Sequence, residues 1–126
     1  MVRSVGRMLE GIRWGAEDVA DFLGRYLTEP KAHIVFRRPL RPLAPGAFAR
    51  AVSRRGLRLA LPTRMLFRGT TIFINGEACA MGARLAPAVT RLADQRAAAP
   101  GTRFDRQTLA RLYEWYRAGY IILGDG

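Results

Sequence analysis

The chain has 126 residues, of which 49% are hydrophobic, 25% charged and 10% aromatic. That length and balance provide for one compact domain with a buried core, and exclude both a disordered low-complexity chain and an enzyme with separate cofactor and substrate domains. Twenty-one basic residues face ten acidic ones, a net charge of +11, and Lys31 alone among the basic residues is not arginine. Such a charge attracts polyanions without naming one, because an arginine-over-lysine bias also follows from genome composition.

Residues Val5 to Leu27 carry Val5, Met8, Leu9, Ile12, Val19, Phe22, Leu23, Tyr26 and Leu27 at spacings of three and four, with Ala16 and Ala20 bridging the middle. This pattern predicts one amphipathic helix, weakened near Gly11 and Gly15 and ended by Pro30, which disfavours helical geometry at Glu29. The stripe is long for so short a chain, so the helix either packs on its own domain or faces a second subunit. Glycines and a glutamate interrupt the first fifteen residues where an apolar signal core would run, and no stretch approaches the ~18 apolar residues of a membrane span. The expectation is a soluble, cytoplasmic protein with no membrane partner.

Arg37 to Gly46 contains Pro39, Pro42 and Pro45, which fix extended geometry and remove donors from any ladder, so the segment is expected to be a linker or an edge strap. Its PxxP spacing, Pro39-Leu40-Arg41-Pro42, is too common by chance to argue for an SH3-type ligand. Pro45 can open a short helix that carries Phe48 and Val52 inward and stops at Gly56. Leu57, Leu59 and Leu61 alternate with Arg58 and Ala60 as a strand closed by Pro62, and Met65 to Arg68 forms a second.

Thr71 to Ile74, Asn75-Gly76 and Glu77 to Ala80 predict a two-residue hairpin, because Asn-Gly supplies the positive φ angles of a type I′ turn. Two helices follow. Arg84 to Gln95 presents Leu85, Val89 and Leu92; Arg106 to Ala118 presents Leu109, Leu112, Tyr113 and Tyr116. Asp105 is placed to cap the latter, Phe104 and Leu109 to staple it, and Gly119 to end it in left-handed geometry. Tyr120 to Leu123 is a final strand. The class is α+β: an N-terminal amphipathic helix joined by a Pro-rich segment to a winged-helix-like domain. The long Ala97 to Arg103 loop argues against a DNA-reading helix pair. The proline-rich segment should insulate the N-terminal helix from strain in the hairpin.

Catalytic chemistry is scarce. His33 is the sole histidine and Cys79 the sole cysteine, which excludes an internal disulfide, a multi-cysteine zinc site and a two-histidine iron centre. Spacing does not favour a triad of His33 with Ser4, Ser53 or Cys79, so His33 reads as a packed or solvated residue ahead of a strand and Cys79 as a small core residue. Gly69, Gly76 and Gly82 do not gather into a phosphate loop. Arg106, Arg111 and Arg117 with Gln107 on the last long helix, and Arg54, Arg55 and Arg58 around Gly56, could contact phosphates, although Glu114 interrupts the first group.

Several short runs occur together and in order: Phe22-Leu23-Gly24-Arg25-Tyr26-Leu27-Thr28-Glu29-Pro30, Pro39-Leu40-Arg41-Pro42-Leu43, Phe73-Ile74-Asn75-Gly76-Glu77, Leu92-Ala93-Asp94, and Trp115 through Gly119-Tyr120. In these the chain resembles the bacterial cupin-type (JmjC-like) ribosomal-protein arginine hydroxylases, which are iron(II)- and 2-oxoglutarate-dependent oxygenases. The resemblance implies a jelly-roll catalytic domain followed by a helical dimerisation region and a winged helix, of which this chain resembles the last two. It divides the chain into a helical dimerisation segment at 1–36, a Pro-rich linker at 37–46 and a winged-helix-like domain at 47–126.

The family's His-x-Asp pair, distal histidine and 2-oxoglutarate-binding residue lie in the jelly roll, and Val35 stands where His33 would need an aspartate. No catalytic, cofactor-binding or metal residue is therefore assigned, and no oxygenase activity is expected of this chain alone. The resemblance implies a homodimer that supports a catalytic cupin domain and the presentation of a basic ribosomal protein. The rival reading from the charge is a small winged-helix nucleic-acid-binding protein.

Overall fold

A computed structural model of the protein describes residues 16–81 and 86–125. In chain order the elements are α1 (Ala16–Thr28), α2 (Pro45–Arg55), β1 (Leu57–Leu59), β2 (Met65–Arg68), β3 (Thr71–Ile74), β4 (Glu77–Ala80), α3 (Pro87–Gln95), β5 (Ala97–Ala98), α4 (Arg106–Ala118) and β6 (Ile121–Leu123). The predicted helix over 5–15 and Leu85 lie outside the described residues.

Local chemistry sets the ends of the helices. Pro45 occupies the first turn of α2, and Gly56 ends it at φ +73, its N–H donating to Val52 O at 2.8 Å. A side chain at Gly56 would collide with Ala98 O, so the residue that stops the helix also admits β5 beside β1. Asp105 caps α4, its Oδ1 accepting the Thr108 N–H at 2.7 Å, and Gly119 closes that helix at φ +86.

Two small antiparallel sheets carry the strands, ordered β5-β1-β6 and β2-β3-β4. The hairpin forms as the sequence predicts: Ile74 pairs with Glu77, and the two turn residues sit at φ 49 (Asn75) and φ 85 (Gly76). Phe48, Leu57, Ile72, Ile74, Leu92, Leu112 and Ile121 are wholly buried in one core shared by both sheets and by α2, α3 and α4.

Three expectations need correction. The strand at Leu57 ends at Leu59, and Leu61 lies outside it, 95% exposed. The cause is Arg96, whose guanidinium donates to the carbonyls of Thr63, Ala60 and Leu61 at 2.8, 2.9 and 3.1 Å and holds the chain in a turn there. The loop expected from Ala97 begins instead with β5, which pairs Ala98 with Leu57. No strand follows His33: residues 34–36 are irregular, and His33 is exposed.

The central strand β3 is covered on both faces. Side chains alternate along β3, so Ile72 and Ile74 enter the core while Phe73 points to the other face, and all three are buried. Phe73 is covered by α1, which packs across β2, β3 and β4.

Candidate interaction surfaces

Helix α1 sits on the hairpin through two small residues. Gly24 lies over the Phe73 ring, where a Cβ would come within 2.6 Å of three ring carbons, so the absence of a side chain brings the helix down onto the sheet. One turn later the fully buried Thr28 donates its hydroxyl to Gly24 O at 2.8 Å and accepts the Gly76 N–H at 2.9 Å. The helix C-terminus is thus bonded to the hairpin turn itself. The turn is held from its other side by Arg64, whose N–H donates to Asn75 Oδ1 and whose carbonyl accepts the Asn75 N–H, both at 3.0 Å. Insulation of the helix by the proline-rich segment is therefore not what the structure provides.

The outer side of α1 stays apolar. Phe22, Tyr26 and Leu27 are 37%, 46% and 54% exposed, and the rings of Phe22 and Tyr26 stack at 6.2 Å. An exposed Arg25–Asp21 pair at 3.0 Å borders them; half-solvated ion pairs of this kind contribute little to stability. A hollow of about 470 Å³ opens between these residues and the hairpin turn, lined by Phe22, Arg25, Tyr26, Glu29 and Gly76 among others.

The proline-rich segment lies as a strap along α4. Tyr113 donates its hydroxyl to Leu43 O at 2.8 Å, and Tyr116 accepts the Leu43 N–H at 3.0 Å. Both rings pack on Phe48, with centroids 5.4 and 4.8 Å away. Upstream, Phe36 meets Tyr120 edge-on at 4.9 Å, and the Arg37 backbone passes so close to Gly119 that a Cβ there would be 2.6 Å from Arg37 O. Prolines that cannot join a ladder are thus compatible with a strap held by side-chain hydroxyls.

The arginine groups differ in availability. On α4, Arg111 pairs with Glu114 at 3.2 Å and the Gln107 amide donates to Met81 O at 3.0 Å, so this face is partly occupied. Arg54 and Arg58 are exposed, and Arg55 Nε donates to Gly124 O at 2.6 Å.

Cys79 lies on β4, half-buried, its Sγ 3.7 Å from Met81 Sδ; burial pushes its thiol up despite the opposing charge of Arg111, the reverse of an activated nucleophile. Tyr120 donates to Glu77 Oε2 at 2.7 Å, and burial, reinforced by that carboxylate, pushes its hydroxyl up to about 12. Among the described residues no three His, Cys, Asp or Glu side chains converge as metal ligands, and no helix is long and apolar enough to cross a membrane. Periodicity did not single out Gly24, Thr28 or Arg96; a glycine inside an otherwise apolar helical stripe was the available signal for the first.

Comparison with known proteins bears on this arrangement. A family model described as the ROXA-like winged helix matches residues 11–121. Among solved structures, one of Escherichia coli ycfD superposes with a TM-score of 0.75 at 22% identity, covering 96% of this chain and 33% of that one. A second, described as YcfD, a ribosomal oxygenase from Escherichia coli in complex with cobalt and 2-oxoglutarate, superposes with a TM-score of 0.73 at 23% identity, covering 98% and 35%. The chain thus spans about a third of the length of these structural relatives, and at such identity the likeness is one of fold. No curated protein matches the chain. The match across residues 11–121, over the same helices and two sheets described above, makes this chain a member of the ROXA-like winged-helix family.

Proposed function

We propose that this chain is the non-catalytic module of a cupin-type ribosomal oxygenase, joining two catalytic units through α1 and supporting substrate presentation. The reading is carried by the family match together with the apolar outer side of α1, where Phe22, Tyr26 and Leu27 remain exposed on a helix already seated on its own sheet. A helix whose inner face is satisfied and whose outer face is apolar has the form of a subunit contact. With a net charge of +11 the module repels a basic ribosomal protein, so its part in presentation is to position the catalytic unit rather than to capture the substrate by charge.

The residues present do not fit the iron(II) centre of such oxygenases. His33 is the only histidine in the sequence and is exposed. The buried side-chain atom lacking a hydrogen-bond partner among the described residues, Asn75 Nδ2, is an N–H donor that cannot ligate a cation. No step through iron or 2-oxoglutarate is assigned to this chain.

Sedimentation of the chain at micromolar concentration tests the proposal. A dimer converted to monomer by Phe22→Asp is expected; a monomer at high micromolar concentration would contradict it. Stoichiometric iron uptake with 2-oxoglutarate turnover lost in His33→Ala would overturn the non-catalytic assignment. Tight duplex-DNA binding that falls steeply with salt, by about 0.9 log unit per log unit of salt for each neutralised phosphate, would favour a nucleic-acid role instead.

A further inference from the structure

We infer that the face formed by the strap, α2 and the outer side of β1 is a groove for single-stranded RNA. Ten basic residues and no acidic one stand between Glu29 and Glu77, the stretch that supplies those three elements. Folding brings six of its arginines into three adjoining hollows of about 460, 390 and 440 Å³. Arg50 and Arg54, one turn apart on α2, line the first, and Arg37, Arg41 and Arg55 line the second. Arg37 continues into the third, where it meets Arg58. Leu43 is shared by the first two hollows, and Arg37 and Ile122 by the last two, so the three form one path. All six arginines are exposed. None is ion-paired among the described residues, and no described carboxylate lines the path.

The course of the path selects the occupant. It starts on the surface of α2, passes the strap at the margin of β6 and ends on the outer face of sheet β5-β1-β6. Arg58 marks that face, since it pairs in register with Ile122 and is exposed between the buried Leu57 and Leu59. The phosphates of a flexible single strand can follow such a turn, each met by a guanidinium whose planar fork matches phosphate. A duplex is stiff over this distance and keeps its bases inside. Unstacked bases can lie on Val35 and Leu61, 80% and 95% exposed along the third hollow, and on the guanidinium planes. An acidic peptide has no main-chain partner here, because Ile121 of β6 is fully buried. The choice of RNA over DNA rests on the ribosomal reading above, since a ribosomal substrate arrives with RNA. No residue of α1 lines the path, so RNA binding and self-association are read separately.

The probe is a fluorescein-labelled dodecauridylate RNA, titrated into the full 126-residue chain by anisotropy at several salt concentrations and followed by amide NMR. Saturable binding is expected, weakening by ~0.7 log unit per log unit of salt for each neutralised phosphate, with amide shifts in the strap, α2 and β1. Arg41→Gln/Arg54→Gln/Arg58→Gln removes one exposed guanidinium from each hollow. It should weaken binding by at least about tenfold and lower the salt slope by ~2, with sedimentation and thermal midpoint unchanged. Arg68→Gln/Arg91→Gln/Arg106→Gln removes the same charge from exposed positions off the path and should change affinity by less than about threefold. Absence of saturable binding, equal loss in the two variants, or shifts confined to residues away from the path would each overturn the proposal. So would a duplex of equal length or polyglutamate of equal charge binding as tightly, or single-stranded DNA binding more tightly than RNA. A monomeric chain that still binds the RNA would refute the α1 contact and leave the groove standing.

Discussion

Replacing Gly24 by alanine tests whether α1 is seated on the hairpin, because two opposing effects meet at that position. Gly24 is inside a helix, where alanine is favoured by ~1 kcal/mol if nothing else changes. Its Cβ, however, would fall 2.6 Å from three carbons of the Phe73 ring, which is 4% exposed between α1 and the sheet and has no room to withdraw. Overpacking of this kind costs ~1–3 kcal/mol, and contact with three atoms places it toward the upper end. The net expectation is a loss of about 1–2 kcal/mol, read as a lowered midpoint in urea with an unchanged slope. Removing the ring reverses the sign. Phe73→Ala by itself should cost ~3–5 kcal/mol, but in that background Gly24→Ala should stabilise by the ~1 kcal/mol of helix propensity. The double-mutant cycle therefore returns a coupling of about 2–3 kcal/mol. If Gly24→Ala stabilises the parent chain as much as it does the Phe73→Ala chain, the helix does not rest on that ring and the seat described here is wrong.

Gly76→Val should destabilise by ~1–3 kcal/mol, since Gly76 sits at φ +85 with the Glu29 backbone 3.4 Å from its Cβ position. Because Thr28 accepts the Gly76 N–H, amide exchange should quicken in α1 as well as in the hairpin; protection retained in α1 would refute that link. Arg96→Ala releases three carbonyls of the 60–63 turn and should cost about 1–2 kcal/mol by thermal unfolding, with Arg96→Lys recovering only part of it because an ammonium lacks the planar fork. Tyr120 is held protonated in the fold, so its contribution is complete below the ordinary tyrosine value near ~10 and is lost as pH rises through about 12. Stability should decline across that window and decline less in Tyr120→Phe; an identical alkaline decline in both proteins would remove the assignment.

The helix and hairpin calculus of the sequence carried far into this fold because its signals are local. Asn75-Gly76 can form a type I′ turn from its own backbone preferences, and Pro45, Gly56, Asp105 and Gly119 terminate helices by effects confined to one turn of chain. Spacing alone likewise places Phe48, Val52, Val89, Leu92 and Leu112 inward, and each is buried. Where the reading stopped, the deciding partner was distant in sequence. The strand at Leu57 ends early because Arg96 captures the carbonyls that follow it, and β5 exists because Gly56 leaves room for Ala98.

The same division separates the surfaces. Periodicity marked Phe22, Leu23, Tyr26 and Leu27 as one apolar stripe but could not say which part meets the protein's own sheet. Gly24 on Phe73 and Thr28 on Gly76 decide that, across separations of about fifty residues, and they leave Phe22, Tyr26 and Leu27 outward. Composition likewise supplied the arginines without their arrangement. Local preference and spacing determined the elements, their ends and most of the core, since each depends on a few adjacent residues. The tertiary structure alone decided how α1 is seated and where the strap runs, since each depends on contacts that exist only once distant segments have met.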